Sequence, residues 1–151
     1  WQVMGGGAAG AFDCYLVHRG LTTLFCRMRQ HCESAMTLAL FLDSHPKIAK
    51  VNYPGLPSHP GHLLSASQSC ASPPLFGGML SFELLRPAAP PVPDALLRAR
   101  VLALLGSLRV FTQATSLGAP ESLVEHRRSV EGELTEAGEG LVRVSVGLED
   151  V

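Results

Sequence analysis

An arginine set among valines gives the clearest chemical signal in the chain. In Leu141-Val142-Arg143-Val144-Ser145-Val146-Gly147 the apolar residues alternate as in a half-buried strand. That pattern puts Val142, Val144 and Val146 on one face and Leu141, Arg143 and Ser145 on the other. A guanidinium on the second face can grip a carboxylate through two parallel hydrogen bonds, which an ammonium cannot. An ordinary solvent-facing arginine is the plainer alternative, and the strand alone favours it. A second segment, Thr115-Ser116-Leu117-Gly118-Ala119-Pro120-Glu121-Ser122-Leu123, follows a predicted strand and is broken by glycine and proline. Ser116 stands at the strand's exit, where a hydroxyl and backbone amides can meet a small anion, although serines there commonly only form turns. Ser122, Leu123 and Glu125 predict a short helix beginning just after it.

Other reactive side chains point to less. His59 and His62 lie three apart around Pro60-Gly61, a spacing that metal ligands adopt on helices, but no third ligand is in register and no metal is expected. Cys14, Cys26, Cys32 and Cys70 form no C-x-x-C pair and read as reduced thiols of an intracellular protein. No histidine stands beside a serine or cysteine nucleophile in a recognisable pattern. Gly5-Gly6-Gly7 and Gly10 are not followed by Gly-Lys-Ser/Thr, so residues 1–11 read as a turn or linker and not a phosphate loop. Of the 12 basic residues only Lys47 and Lys50 are lysines. Both flank a predicted strand as exposed edge residues, without the small, hydroxyl-rich setting expected around a Schiff-base lysine.

The elements that would position these groups alternate between helix and strand. Residues 12–20 predict a short helix ended by Gly20. Leu21, Leu24, Phe25, Met28, Cys32, Ala35, Met36 and Ala39 recur at three- and four-residue steps, predicting a long helix with one apolar stripe. Thr22 or Thr23 would cap it, and His45-Pro46 would stop it, giving about 33 Å of helix. A strand follows at Ile48, Val51 and Tyr53, then a helix over 61–68 and a strand over 79–85. Pro87, Pro90, Pro91 and Pro93 read as a stiff connection. Asp94 would cap a helix to Ser107, before strands over 108–112 and 141–147. The acidic stretch at 121–150 reads as solvated surface. This order predicts an α/β or α+β layer structure, helices over one sheet.

Composition sets the outer limits. The chain has 151 residues, 46% hydrophobic and 17% charged, enough for a folded core and too apolar for disorder. A net charge of −1 and a pI near 6.6 exclude a strongly basic nucleic-acid or membrane-surface binder. No 18-residue apolar run spans a bilayer. Trp1 reads as a cut and not a beginning, so the lack of a leader says nothing of targeting.

Several blocks, in order, resemble one family. They are Phe12-Asp13-Cys14-Tyr15-Leu16-Val17 with Arg19-Gly20-Leu21, Thr23-Leu24, Arg27-Met28 and His31, and then Tyr53-Pro54-Gly55-Leu56-Pro57-Ser58-His59-Pro60. Phe76-Gly77-Gly78-Met79-Leu80-Ser81-Phe82, Phe111-Thr112, and Ser116-Leu117-Gly118 with Glu121-Ser122-Leu123 follow. Val142-Arg143-Val144-Ser145-Val146-Gly147-Leu148-Glu149-Asp150 completes the set. Together they resemble the trans-sulfuration (Cys/Met metabolism) family of pyridoxal-phosphate (PLP) enzymes, which includes cystathionine γ-lyase, γ-synthase and β-lyase and methionine γ-lyase.

The resemblance implies an α/β fold, the C-terminal part of a fold type I PLP-dependent transferase. Residues 1–45 would be the end of the large PLP domain with the linking helix. Residues 46–151 would form the small C-terminal α/β domain, stopping before its last helix. It also implies that Arg143 binds the substrate α-carboxylate, that Ser116 helps to position it, and that Thr115 stands where many members carry glutamate or tyrosine near the substrate's distal end. The full-length protein would bind pyridoxal 5'-phosphate mainly through residues upstream of this chain, including the Schiff-base lysine. It would act in the cytoplasm as a homo-oligomer, a tetramer, on a sulfur amino acid such as cystathionine, by elimination or replacement. The chain alone, without that lysine, would be inactive. The alternative is a non-catalytic relative serving as a dimerisation or interaction module. Three departures stand out: Glu125-His126 is followed by Arg127-Arg128-Ser129-Val130-Glu131-Gly132 where many members follow such a pair with a proline and a Met-Thr-His stretch, Gly118-Ala119-Pro120 stands in place of a glycine pair and a hydrophobic residue, and Ala8-Ala9-Gly10-Ala11 in place of a Pro-Ser-Pro turn.

Overall fold

The structure is a computed structural model that describes residues 4–87 and 91–150. Its centre is a five-stranded sheet in the order β1-β2-β5-β4-β3. The strands are β1 Ile48–Asn52, β2 Met79–Leu84, β3 Thr112–Gln113, β4 Leu123–His126 and β5 Leu141–Ser145. β2 pairs antiparallel with β1 and β5, and β5 pairs antiparallel with β4. β3 lies parallel to β4 at the edge.

The alternation in β5 works as the sequence predicts. Val142, Val144 and Val146 are buried and join Leu80, Phe82 and Val124 on the inner face. Two helices cover that face: α2 Leu24–Asp43 through Ala35, Ala39 and Leu42, and α4 Asp94–Ser107 through Val101 and Leu105, while the short α3 His62–Gln68 falls between β1 and β2 in the chain. Both sets fall at three- or four-residue steps, one stripe per helix. Arg143 therefore stands on the outer face of a strand whose other side is locked into a dry core.

Several expectations about the elements need correction. The apolar stripe of α2 is buried only from His31 onward; Leu21, Leu24 and Phe25 are exposed, as is every residue of α1 Ala11–Leu21, because this end runs off the sheet. α1 continues through Gly20 and is followed by Thr22, whose hydroxyl donates to Arg19 O at 2.7 Å and does not cap α2. Thr23 occupies the position before α2 without a side-chain cap. Asp94 is the first residue of α4, not its cap, since its carboxylate is ion-paired with Arg86. The stiff connection from Pro87 to Pro93 lies partly outside the described residues, as do residues 1–3 of the glycine-rich start. The strand expected over 108–112 is the two-residue β3, offset toward Gln113. The helix expected near Ser122 is strand β4; the short helix α5, Arg127–Glu131, begins only afterwards. All four residues of β4 are buried, so its run carries no alternation from which to read a strand.

Candidate functional site

Strand pairing builds the site. Glu125 of β4 and Ser81 of β2 sit directly opposite Arg143, so the three side chains project from the same sheet face. The segment from Gln113 to Ser122 then passes over that face. Arg143 Nη2 donates to Thr115 O at 2.5 Å and to Ser116 O at 2.6 Å. The three residues predicted from sequence thus come together, though Thr115 and Ser116 meet the arginine through backbone carbonyls and not hydroxyls. Among the described residues no protein group accepts from Nη1. The guanidinium is held at one nitrogen and has another to offer.

Its fourth neighbour is an acid that sequence reasoning placed in a helix. Glu125 is 4% exposed, and its Oε1 lies 3.1 Å from Arg143 Nε. That approach lacks hydrogen-bond alignment: Arg143 Nε and Glu125 Oε2 are both buried without a partner. Oε1 also accepts from Arg127 Nη1 at 2.6 Å, and Arg127 is ion-paired in turn with Glu131. Hydrogen bonding to Glu125, foremost, raises the Arg127 pKa. On Glu131 the hydrogen bond from Thr135, followed by the contact with Arg127, outweighs burial and holds the carboxyl below its usual range.

Two further devices fix the covering segment, and neither was visible in the sequence. Gly118 adopts φ +73, a left-handed turn that favours glycine, and its N–H donates to Ser145 Oγ at 3.0 Å. Ser145, expected on the outer face, is therefore buried beneath the loop. At the far end the Ser122 N–H and hydroxyl donate to the two oxygens of Glu149 at 2.6 and 2.7 Å. Gly147 N–H donates to Ser122 Oγ at 2.8 Å. Burial pushes the Glu149 carboxyl up, but the bonds from Ser122, helped by nearby His31, outweigh it and hold the carboxyl below the usual range. His31, itself buried on α2, donates from Nδ1 to Val146 O at 2.7 Å, tying the long helix to the same strand end.

The remaining candidates are absorbed into structure. His59 Nδ1 accepts from Gly61 N–H, and His62 donates to Pro54 O while stacking on Phe76. Among the described residues no cluster of three or more His, Cys, Asp or Glu is placed to hold a metal. Cys14, Cys26 and Cys70 are exposed free thiols, and Cys32 is a buried one. Tyr53 donates to Gly77 O at 2.9 Å, and burial, with Cys32 adding, pushes its hydroxyl pKa well up. Lys47 and Lys50 are exposed. Lys50 pairs with Glu83 on the opposite side of β2 from Arg143's strand, roughly 10 Å or more from the arginine by strand spacing. Neither lysine adjoins the site. No helix among the described residues is long and apolar enough to cross a membrane.

Comparison with known proteins adds the wider context. Residues 1–151 match a family described as Cys/Met metabolism PLP-dependent enzyme. A cystathionine gamma-synthase of Mycobacterium tuberculosis is 43% identical over 97% of this chain and 35% of its own length. A cystathionine gamma-lyase of Mus musculus is 42% identical over 96% of this chain and 35% of its own length. A crystal structure of cystathionine gamma synthase from Xanthomonas oryzae pv. oryzae, in complex with cystathionine, superposes with a TM-score of 0.75 at 39% identity, covering 92% of this chain and 34% of that one. The chain spans about a third of the length of each.

Proposed function

This chain belongs to the Cys/Met metabolism family of PLP-dependent enzymes, and we propose that it supplies the substrate-carboxylate site of such an enzyme, acting on a sulfur amino acid by elimination or replacement. One observation carries the reading. Arg143 stands on a rigid strand, beside the loop that bears Thr115 and Ser116, with Nη2 anchored by that loop's carbonyls and Nη1 free of protein acceptors among the described residues. A carboxylate that accepts from Nη1 is held at a fixed place relative to the sheet, which orients the bonds at the neighbouring carbon. The side chains of Thr115 and Ser116 are exposed on the loop whose carbonyls anchor Nη2; in this reading Ser116 assists the carboxylate, and Thr115 meets the distal part of the substrate.

Pyridoxal phosphate, when bound, supplies an electron sink for charge developing at the α-carbon. The described residues do not fit the cofactor's attachment. Covalent attachment needs a lysine beside the site, and Lys47 and Lys50 lie elsewhere, so the chain by itself is inactive in this reading. The cofactor's contacts, the linking role of α2 between residues 1–45 and 46–151, and assembly as a homo-oligomer belong to the longer protein. The gamma-synthase and gamma-lyase relatives match almost equally well, so the reaction is proposed only as elimination or replacement. In the cofactor-loaded full-length protein, Arg143→Ala is expected to raise KM strongly with the cofactor still bound; an unchanged KM overturns the assignment.

A further inference from the structure

Resting on the carboxylate reading of Arg143, we propose that Glu125 is a positioning residue for that arginine, with Arg127 as the counter-charge that allows a buried acid to serve there. The pairing of β4 with β5 places Glu125 directly across from Arg143, and Arg127 follows two residues later. A buried carboxylate is costly unless paired, and this one lies between two guanidinium groups, 2.6 Å from one and 3.1 Å from the other. Glu131, Arg127, Glu125 and Arg143 form a row of alternating charge, which a ligand carboxylate at Nη1 extends by one more member.

The division of donors supports the role. Loop carbonyls take Nη2, Glu125 faces Nε, and Nη1 remains for the ligand. Anchors at two corners fix the plane of a guanidinium, whereas anchors at Nη2 alone leave it free to turn. An unpartnered donor, Arg143 Nε, and an unpartnered acceptor, Glu125 Oε2, sit buried beside each other. Such orphans are rare in folded proteins, and hydrogen bonds in a free site are often poorly aligned until ligand binds. A small turn of the guanidinium aligns Nε with Glu125, and a carboxylate drawn to Nη1 favours the same turn.

Simple electrostatics predicts the opposite effect of removing the acid. If Glu125 merely weakened the positive field at Arg143, its neutralisation would tighten carboxylate binding. The test uses the cofactor-loaded full-length protein and two probes, norleucine and norleucinamide, which differ only in the carboxylate. The ratio of their dissociation constants reads the clamp, and cofactor content and norleucinamide affinity read the rest of the site. Glu125→Gln is expected to reduce the preference for norleucine about tenfold, the weight of a charge-assisted hydrogen bond, leaving cofactor content and norleucinamide affinity unchanged. An unchanged or increased preference, with Arg143→Ala abolishing it, overturns the role of Glu125 alone. A preference that survives Arg143→Ala overturns the carboxylate reading itself. Should Glu125→Gln fail to fold, Glu125→Asp, which keeps the charge but withdraws the oxygens, replaces it; a reduced preference supports the role and an unchanged one overturns it.

Discussion

Ser122 is the residue whose loss should be felt in both stability and site geometry. Its hydroxyl donates to Glu149 and accepts from Gly147 N–H, so Ser122→Ala removes two bonds at once. A hydrogen bond to a charged group contributes about 1.5–3 kcal/mol, and stranding a buried N–H adds to the loss, partly offset by relaxation and by the retained Ser122 N–H bond to Glu149. The net cost is about 2–3 kcal/mol at neutral pH, roughly 4–12 °C in melting temperature for a chain of this size. Because folding lowers the Glu149 pKa, its contribution is complete above the ordinary value of 4.5 and fades as pH falls through the lower folded value. Thermal unfolding followed by circular dichroism should therefore show a wide gap between wild type and Ser122→Ala at pH 7. The gap should narrow well below pH 4.5, leaving the part due to Gly147 N–H. A gap that is negligible at pH 7, or equal at both pH values, refutes the latch.

Two other outcomes follow from the same geometry. A Cβ at Gly147 would stand 2.4 Å from Pro120 O and 2.5 Å from Glu121 C, both backbone, so Gly147→Ala should cost about 1–3 kcal/mol and displace the loop that presents Thr115 and Ser116; chemical denaturation and the norleucine preference should fall together. The isolated 151-residue chain, mixed with pyridoxal phosphate and dialysed, should retain no visible cofactor band. It should also be poorly soluble, given the exposed Phe12, Tyr15, Val17 and Phe25 of its first two helices; a retained band or a monodisperse soluble monomer would contradict these expectations.

What the sequence made legible follows the strength of its periodicities. The alternating valines of β5 commit one face to the core along the whole strand, and the three- and four-residue steps of α2 do so from His31 onward. Arg143 was readable for the same reason: a charge in the middle of an alternating strand has only one side to occupy. β4 was not readable, because all four of its residues are buried and a short run without alternation resembles the start of a helix. Misreading β4 also hid Glu125, whose importance comes from strand register and not from its sequence neighbours. The signal that could have revealed it is an acid directly after the apolar pair Leu123-Val124 with Arg127 and Arg128 close behind it. The Ser122–Glu149 latch joins residues 27 apart, and such pairing follows from topology alone.

The central claim, that Arg143 holds a carboxylate, is tested most directly by KM for the amino-acid substrate in the cofactor-loaded full-length protein carrying Arg143→Lys or Arg143→Ala. Lysine keeps the charge but, with a single nitrogen, cannot serve the loop carbonyls, Glu125 and the ligand at once. The expected increase in KM is about tenfold for Arg143→Lys and roughly 30-fold or more for Arg143→Ala, given the 2–5 kcal/mol associated with breaking a buried charge pair and 1.4 kcal/mol per factor of ten. Cofactor content should remain that of wild type in both. KM values for both variants equal to wild type would show that the carboxylate is bound elsewhere.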